Sequence, residues 1–227
     1  MTECAQVEAN GFAVLPHVFA PDRVDSIVGE ITQLSPHHSR AGVRHALSLT
    51  PVAKIAHSPE LMRIASHVLG ENVIPFRATL FEKTLTANWL VVWHQDTALP
   101  LRERREIPGW GPWSVKEGIN YAHAPVDSLS KVLALRIHFD DSGSDNGPLR
   151  VLPTTHQLGV LSDDQIGELS KRIEAVDCVA PKGGVIAMRP LVVHASSKSR
   201  TEVSRRVLHI EYAESESIAS PLRLAFA

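Results

Sequence analysis

Two stretches of this sequence set a histidine and a carboxylate two residues apart: His94-Gln95-Asp96, closing the apolar run "LVVWHQD", and His138-Phe139-Asp140, in "LALRIHFDD". On an extended strand, residues i and i+2 point to one face, so each pair enters a shared space. Burying such a pair is costly unless something compensates its charge. A metal ion is one compensator and a plain hydrogen-bonded pair is another. Two histidines and one carboxylate on one side of a metal leave positions open, as in non-haem Fe(II) oxygenases. The same set around Zn²⁺ with a bound water supports hydrolysis. The third ligand must come from a distant strand, and His194, late in "MRPLVVHASS", is the best candidate. Spacing alone does not choose between the two triplets, and a single His-x-Asp is more often structural than a ligand pair.

Arg205 follows His194 by eleven residues, at the start of another apolar strand, "RRVLHIEY". An arginine reaching into an interior needs an anion, because its charge is permanent and bidentate pairing with a carboxylate is its strongest use. A dicarboxylate that chelates iron at one end and meets Arg205 at the other satisfies both demands. The plain alternative for Arg205 and Arg206 is a surface pair facing solvent.

The elements that must position these groups are readable from periodicity. "APDRVDSIVGEITQLS" sets Val24, Ile27, Val28, Ile31 and Leu34 at helical spacing behind Pro21. "SPELMRIASHVLG" reads as a helix with Ser58 as cap, Pro59 in its first turn and Gly70 at its end. "SDDQIGELSKRIEAV" has Ser162 and Gln165 in capping-box register. The remainder consists of short apolar runs ("FAVLP", "VIPF", "WLVVW", "VLALRIHF", "LRVLP", "VIAM", "PLVVHA", "RVLHIEY") parted by Gly, Pro, Asn and Asp. Many short strands point to a sandwich or barrel, and helices gathered mainly before them give an α+β, mainly β, chain. No linker or repeat divides residues 1–227, so one domain is expected.

Leu101 to Lys131 stands apart as about thirty residues of mixed polarity. It carries Trp110, Trp113, Tyr121 and the cluster Arg102, Arg104 and Arg105. A loop of this length after the His-Gln-Asp triplet reads either as a lid over a site or as a solvated excursion.

Composition narrows the class. The formal charge of −2 gives no basis for binding nucleic acid or an anionic membrane, and hydrophobic residues make up 44%, enough for a sizeable core. The first residues, "MTECAQVEANGF", have neither the basic nor the apolar region of an export signal. Cys4 and Cys178 fall in no metal or redox spacing. A cytoplasmic location is the expectation, with a small-molecule substrate.

Taken in order, these motifs resemble the phytanoyl-CoA dioxygenase family of Fe(II)- and 2-oxoglutarate-dependent oxygenases, from about Val7 to Tyr212. "EANGFAVLPHVFAPDRVDSIVGEI" is similar to the family's opening strand and helix, and "WHQD" to its metal motif. "DDSGSDNGPLRVLPTTHQLG" resembles its acidic turn, strand and Pro-x-x-His segment, with "PTTH" in place of the usual Pro-Gly-Ser-His. "RPLVVHASSKSRTEVSRR" is similar to its last metal histidine and following arginine. The resemblance implies a double-stranded β-helix (jelly roll) and a metal set of His94, Asp96 and His194. His138 and Asp140 then fall in the acidic turn.

It further implies that Arg205 clamps the far carboxylate of 2-oxoglutarate, with Gln95, Ser196 and Thr79 as further cosubstrate contacts. Lys83 of "FEKT" falls on a recurrent family strand. Arg136 shares a strand face with His138 and Asp140 and is a candidate pocket residue, while His138 is either a pocket residue or a structural one. The implied cofactors are Fe(II), 2-oxoglutarate and O₂, and the implied reaction is hydroxylation with release of succinate and CO₂. Asp96 favours hydroxylation over halogenation, since related halogenases lack this carboxylate. A zinc hydrolase on the same residues and a non-catalytic jelly-roll binding protein are the alternatives.

Overall fold

A computed structural model describes residues 2–34, 42–84 and 87–227. Among the described residues the α-helices are α1 (Glu3–Asn10), α2 (Pro21–Leu34), α3 (Thr50–Ala56), α4 (Pro59–Leu69), α5 (Val126–Leu129) and α6 (Asp163–Arg172). The strands are β1 (Phe12–Leu15), β2 (Ile74–Lys83), β3 (Val91–His94), β4 (Ala98–Leu101), β5 (Trp113–Lys116), β6 (Ile119–His123), β7 (Val132–His138), β8 (Leu149–Leu152), β9 (Val176–Cys178), β10 (Val185–Met188), β11 (Val193–Ser196) and β12 (Arg205–Ala213). The three helices expected from periodicity form, although Ser35, the last residue of the first, lies outside the described residues. Ser162 and Gln165 make the reciprocal capping box, whereas Ser58 precedes α4 without a side-chain cap bond.

The strands build a mainly antiparallel jelly roll. One sheet has the order β1-β10-β7-β12-β2, and a second has the order β3-β11-β8-β9. The period of two sorts their side chains. Ala78 and Leu80 of β2, Leu133, Leu135 and Ile137 of β7, Val185 and Ala187 of β10, and Leu208, Ile210 and Tyr212 of β12 pack outward in one cluster with apolar residues of α1 to α4. Tyr212 donates its hydroxyl to the Ala56 carbonyl at 2.7 Å, which satisfies the polar atom of an otherwise buried ring.

The opposite, inner face is divided along the sandwich. Toward β1, β8 and β9 it is apolar, with Ala134, Ile186 and Met188 meeting Leu149, Val151 and Cys178. Toward β2 and β12 it is polar: Arg77, Thr79 and Lys83 alternate along β2, and Arg205 and His209 lie on β12, with Lys83 opposite Arg205 and Thr79 opposite His209. The sandwich is thus sealed at one end and open to chemistry at the other.

The segment after the His-Gln-Asp triplet is not a structureless loop. β4, β6 and β5 form a third antiparallel sheet, and β5 and β6 are joined through Glu117 and Gly118 alone, both at positive φ (50° and 82°). That is the backbone a tight two-residue hairpin requires, and within "WSVKEGINYAH" only Gly118 signals it, since glutamate rarely takes positive φ. Trp110 and Trp113 pack with Leu99, Leu101 and Leu224 in a second core, a structural use. Arg102, Arg104 and Arg105 make surface ion pairs with Glu216, Glu106 and Glu103. Of the residues singled out in this segment, only Tyr121 reaches the cavity described next.

Candidate metal centre

β11 lies between β3 and β8, and His194 is directly opposite His94 in the antiparallel pairing. The two ring centroids are 4.2 Å apart. β3 ends at His94, and the chain continues so that the Asp96 N–H donates to the Pro190 carbonyl at 2.9 Å, just before β11. That bond turns the carboxylate back toward both imidazoles. Asp96 Oδ1 lies 3.7 Å from His94 Nε2, and Asp96 Oδ2 lies 3.5 Å from His194 Nε2. Among the described residues these three form the one group with metal-ligand proximity, one atom from each lying within 4.8 Å of the others.

The donor set suits a divalent cation. His94 Nδ1–H donates to the Val92 carbonyl at 2.8 Å, and His194 Nδ1–H donates to the Val192 carbonyl at 2.9 Å. Each bond fixes the tautomer that leaves the Nε2 lone pair toward the centre, as a ligating histidine needs. Burial lowers the pKa of His194 to about 4, against the opposing pull of Asp96, which keeps the imidazole neutral. For Asp96, burial alone would raise the carboxyl, but His194 and His94, with His209 and Arg77, hold it well below the usual carboxylate range.

A cavity of about 280 Å³ opens from the triad and runs beneath β2 and β12. Thr79, Arg136, Ser196 and Arg205 line it, as do His94, Asp96 and His194. Arg205 Nε and Arg136 Nε are buried without hydrogen-bond partners among the described residues. Arg206, by contrast, points the other way and is paired with Asp140 at 2.6 and 2.8 Å. Burial and the neighbouring Arg136 lower the Arg205 pKa to about 10. Lys83 is buried beside it, donating to Ser196 Oγ at 2.7 Å and to the Ser197 carbonyl at 2.5 Å. Burial first, then Arg205 and Arg136, lower its pKa to about 7. Arg136 also donates to His209 Nδ1 at 3.0 Å. Ser196 itself donates to the Gly147 carbonyl at 2.9 Å. Gly147, at φ 69°, has room only for hydrogen, since a Cβ there would lie 2.3 Å from the Ser197 carbonyl oxygen.

Two candidates are placed elsewhere. Gln95 is turned out of the cavity and spent on backbone: its amide nitrogen donates to the Gly159 and Leu191 carbonyls, and its oxygen accepts from Leu161 N–H. It braces the backbone around residues 159–161 and Leu191 instead of facing the cavity. His138 is fully buried, and burial, then Arg136 and Arg205, lower its pKa to about 3. It is a neutral core residue away from the triad. Conversely, Arg77, Phe81, Lys116, His209, Arg44 and His45 line the cavity without having been singled out as site residues. The alternation Arg77, Thr79, Phe81, Lys83 was the available signal on β2.

The sequence profile of the phytanoyl-CoA dioxygenase family matches residues 7–207. The chain belongs to the phytanoyl-CoA dioxygenase family. This family member is 25% identical over 201 residues to L-proline trans-4-hydroxylase of Streptomyces griseoviridis, a match covering 77% of the chain and 67% of that protein. Its fold is similar to that of EvdMO1, with a TM-score of 0.68 and 21% identity over 93% of the chain, which spans about half (49%) of EvdMO1. It is similar also to the epimerase SnoN of nogalamycin biosynthesis, solved with Fe³⁺, alpha-ketoglutarate and nogalamycin RO. There the TM-score is 0.70, with 16% identity over 94% of the chain and 83% of SnoN. Family membership makes this chain one of the non-haem iron, 2-oxoglutarate-dependent oxygenases. Among the described residues no helix is long and apolar enough to cross a membrane.

Proposed function

We propose that this chain is an Fe(II)- and 2-oxoglutarate-dependent dioxygenase that hydroxylates a small molecule and releases succinate and CO₂. The observation that carries this reading is a pairing within one cavity. Two imidazoles and a carboxylate converge at one place, and Arg205 lies at another with no salt bridge to any described carboxylate. His94, Asp96 and His194 would hold Fe(II). Arg205 would hold the far carboxylate of 2-oxoglutarate, with Lys83 and Ser196 beside it and Arg136 and Thr79 along the wall. Bound there, the iron and its cosubstrate supply the O₂-dependent oxidation, coupled to decarboxylation. The protein's share is placement: a rigid strand pair fixes the ligands, and the apolar seal behind the cavity excludes water.

The proline hydroxylase and SnoN act on or bind small molecules, which supports a small molecule here. Free Cys4 and Cys178 support a reducing, cytoplasmic setting. A zinc hydrolase would use the same three ligands, yet would leave Arg205 buried without a purpose. The test is O₂-dependent formation of succinate from 2-oxoglutarate by the Fe(II)-loaded protein. Formation that is lost in Asp96→Ala supports the reading. Ester or amide hydrolysis by the Zn²⁺ form, with no succinate under any condition, would overturn it.

A further inference from the structure

We propose that the primary substrate is a small organic anion, and that Lys116 and Arg44 hold its carboxylate or phosphate at the mouth of the cavity, away from Lys83 and Arg205. The proposal rests on reading the site as an iron and 2-oxoglutarate centre.

The cavity has two cationic ends. Arg77 and Lys83 lie on the same face of β2, six residues apart, which at ~3.3 Å per residue separates their backbones by roughly 20 Å. The register repeats this on β12, where Glu211 lies opposite Arg77 and Arg205 opposite Lys83. A short dicarboxylate that spans the triad and the Lys83–Arg205 end cannot also neutralise the other end.

The charges at that other end are unequally compensated. Arg77 is satisfied: it pairs with buried Glu211, which outweighs the effect of burial and raises its pKa, and it donates to the Ala98 carbonyl at 3.0 Å. Lys116 has no salt bridge among the described residues, and its ammonium lies 5.0 Å from the centre of the Tyr121 ring. Among the described residues the one carboxylate paired with Arg44 is Glu117, at 3.7 Å, and that carboxylate also lies 3.5 Å from His45. The Tyr121 hydroxyl is 3.4 Å from His45 Nε2, which ties the hairpin to the segment carrying Arg44.

Among the described residues the lining holds six basic side chains, Arg44, Arg77, Lys83, Lys116, Arg136 and Arg205, against a single carboxylate, Asp96. A cleft lined by one sign of charge concentrates ligands of the other sign. Burial, Arg77 and Arg44 lower the Lys116 pKa, so an arriving anion relieves a repulsion already present. An uncharged substrate would leave it in place. The hairpin that delivers Lys116 is thus a specificity element: its two-residue turn sets the ammonium at the rim while Tyr121 continues the wall inward.

The test is an anaerobic titration of the Fe(II)- and 2-oxoglutarate-loaded protein with a panel of small carboxylic acids, their primary amides and monophosphate esters. Binding is read by perturbation of the iron–cosubstrate absorption and, independently, by calorimetry. Acids or phosphates should bind at least about tenfold tighter than the matched amides, and Lys116→Ala with Arg44→Ala should remove that preference. Lys116→Arg should retain it, and 2-oxoglutarate affinity should hold in all variants. The relative strength of the acid and phosphate arms assigns the group. Equal binding of acids and amides, anion binding unchanged in the double variant, or no anion bound by the wild type would each overturn the proposal. Absence of the 2-oxoglutarate absorption in the wild type would instead overturn the iron reading, with calorimetry still reporting on the anion.

Discussion

His94 and His194 stand directly opposite one another across the β3–β11 pair, and each is tied at Nδ1 to the carbonyl two residues before it. The same local bond on both strands gives two imidazoles of one tautomer, aimed at one point, which Asp96 completes. Removing any of the three takes away a ligand, a larger change than the ten- to hundredfold loss usual when only an outer partner of a ligand is removed. Fe(II) affinity should therefore fall by about a hundredfold or more in His94→Ala, Asp96→Ala or His194→Ala, measured by competition with a chelating dye. His138→Ala should leave it within about threefold while lowering stability. A reversed pattern would assign the metal to the other triplet.

Gln95 separates a cosubstrate contact from a structural brace. Its side chain satisfies three backbone groups, two of them carbonyls, and leaving buried partners unsatisfied costs roughly 1–3 kcal/mol each. Gln95→Ala should lower the denaturation midpoint and weaken Fe(II) and 2-oxoglutarate binding together, because the bond network positions the metal ligands. Selective loss of 2-oxoglutarate affinity at full stability would return Gln95 to the cosubstrate.

Lys83 sets a pH dependence with a definite sign. Its pKa falls from 10.5 in the open chain to about 7 in the fold, so between these values the unfolded chain holds a proton that the folded protein has released. Stability of the protein without ligands should then rise with pH from about 7 toward 10, and be flat in this group below 7. Urea unfolding at stepped pH, compared with Lys83→Met, isolates the effect. The variant should lose that part of the slope, and an unchanged slope would contradict the buried charge.

Trp110 is core, not substrate platform. It packs with Leu99, Leu101, Ile218 and Leu222, and truncating a buried Trp typically costs about 3–5 kcal/mol. Trp110→Ala should lower stability on that scale in denaturant unfolding while leaving the 2-oxoglutarate dissociation constant close to wild type.

Periodicity offered two His-x-Asp triplets, and only the resemblance to the family chose His94 and Asp96 with His194; β3 ends at His94, so Asp96 is turned toward the imidazoles by its backbone bond to Pro190, which no local pattern announces. Arg205 was legible as a permanent charge at the start of a buried strand. The hairpin at Glu117 and Gly118 was passed over because its polar exterior read as loop and only Gly118 suits positive φ, while Glu117 adopts it against its own preference. Gln95 was assigned by position to the cosubstrate. Only the fold shows that its amide meets the 159–161 turn and Leu191, contacts far along the chain that no local pattern encodes. The mouth cations were invisible for the same reason, since Arg44 and Lys116 meet only after β2 and the hairpin close on each other.

The central claim is that one cavity holds Fe(II) on His94, Asp96 and His194 and 2-oxoglutarate on Arg205. The most direct measurement is an anaerobic titration of the metal-free protein with Fe(II) and then 2-oxoglutarate, following the visible charge-transfer absorption of the chelate in wild type, His94→Ala and Arg205→Ala. A band in the wild type, absent in His94→Ala and requiring at least about tenfold more 2-oxoglutarate in Arg205→Ala, is the predicted result. No band in the wild type, together with tight Zn²⁺ binding, would contradict the account.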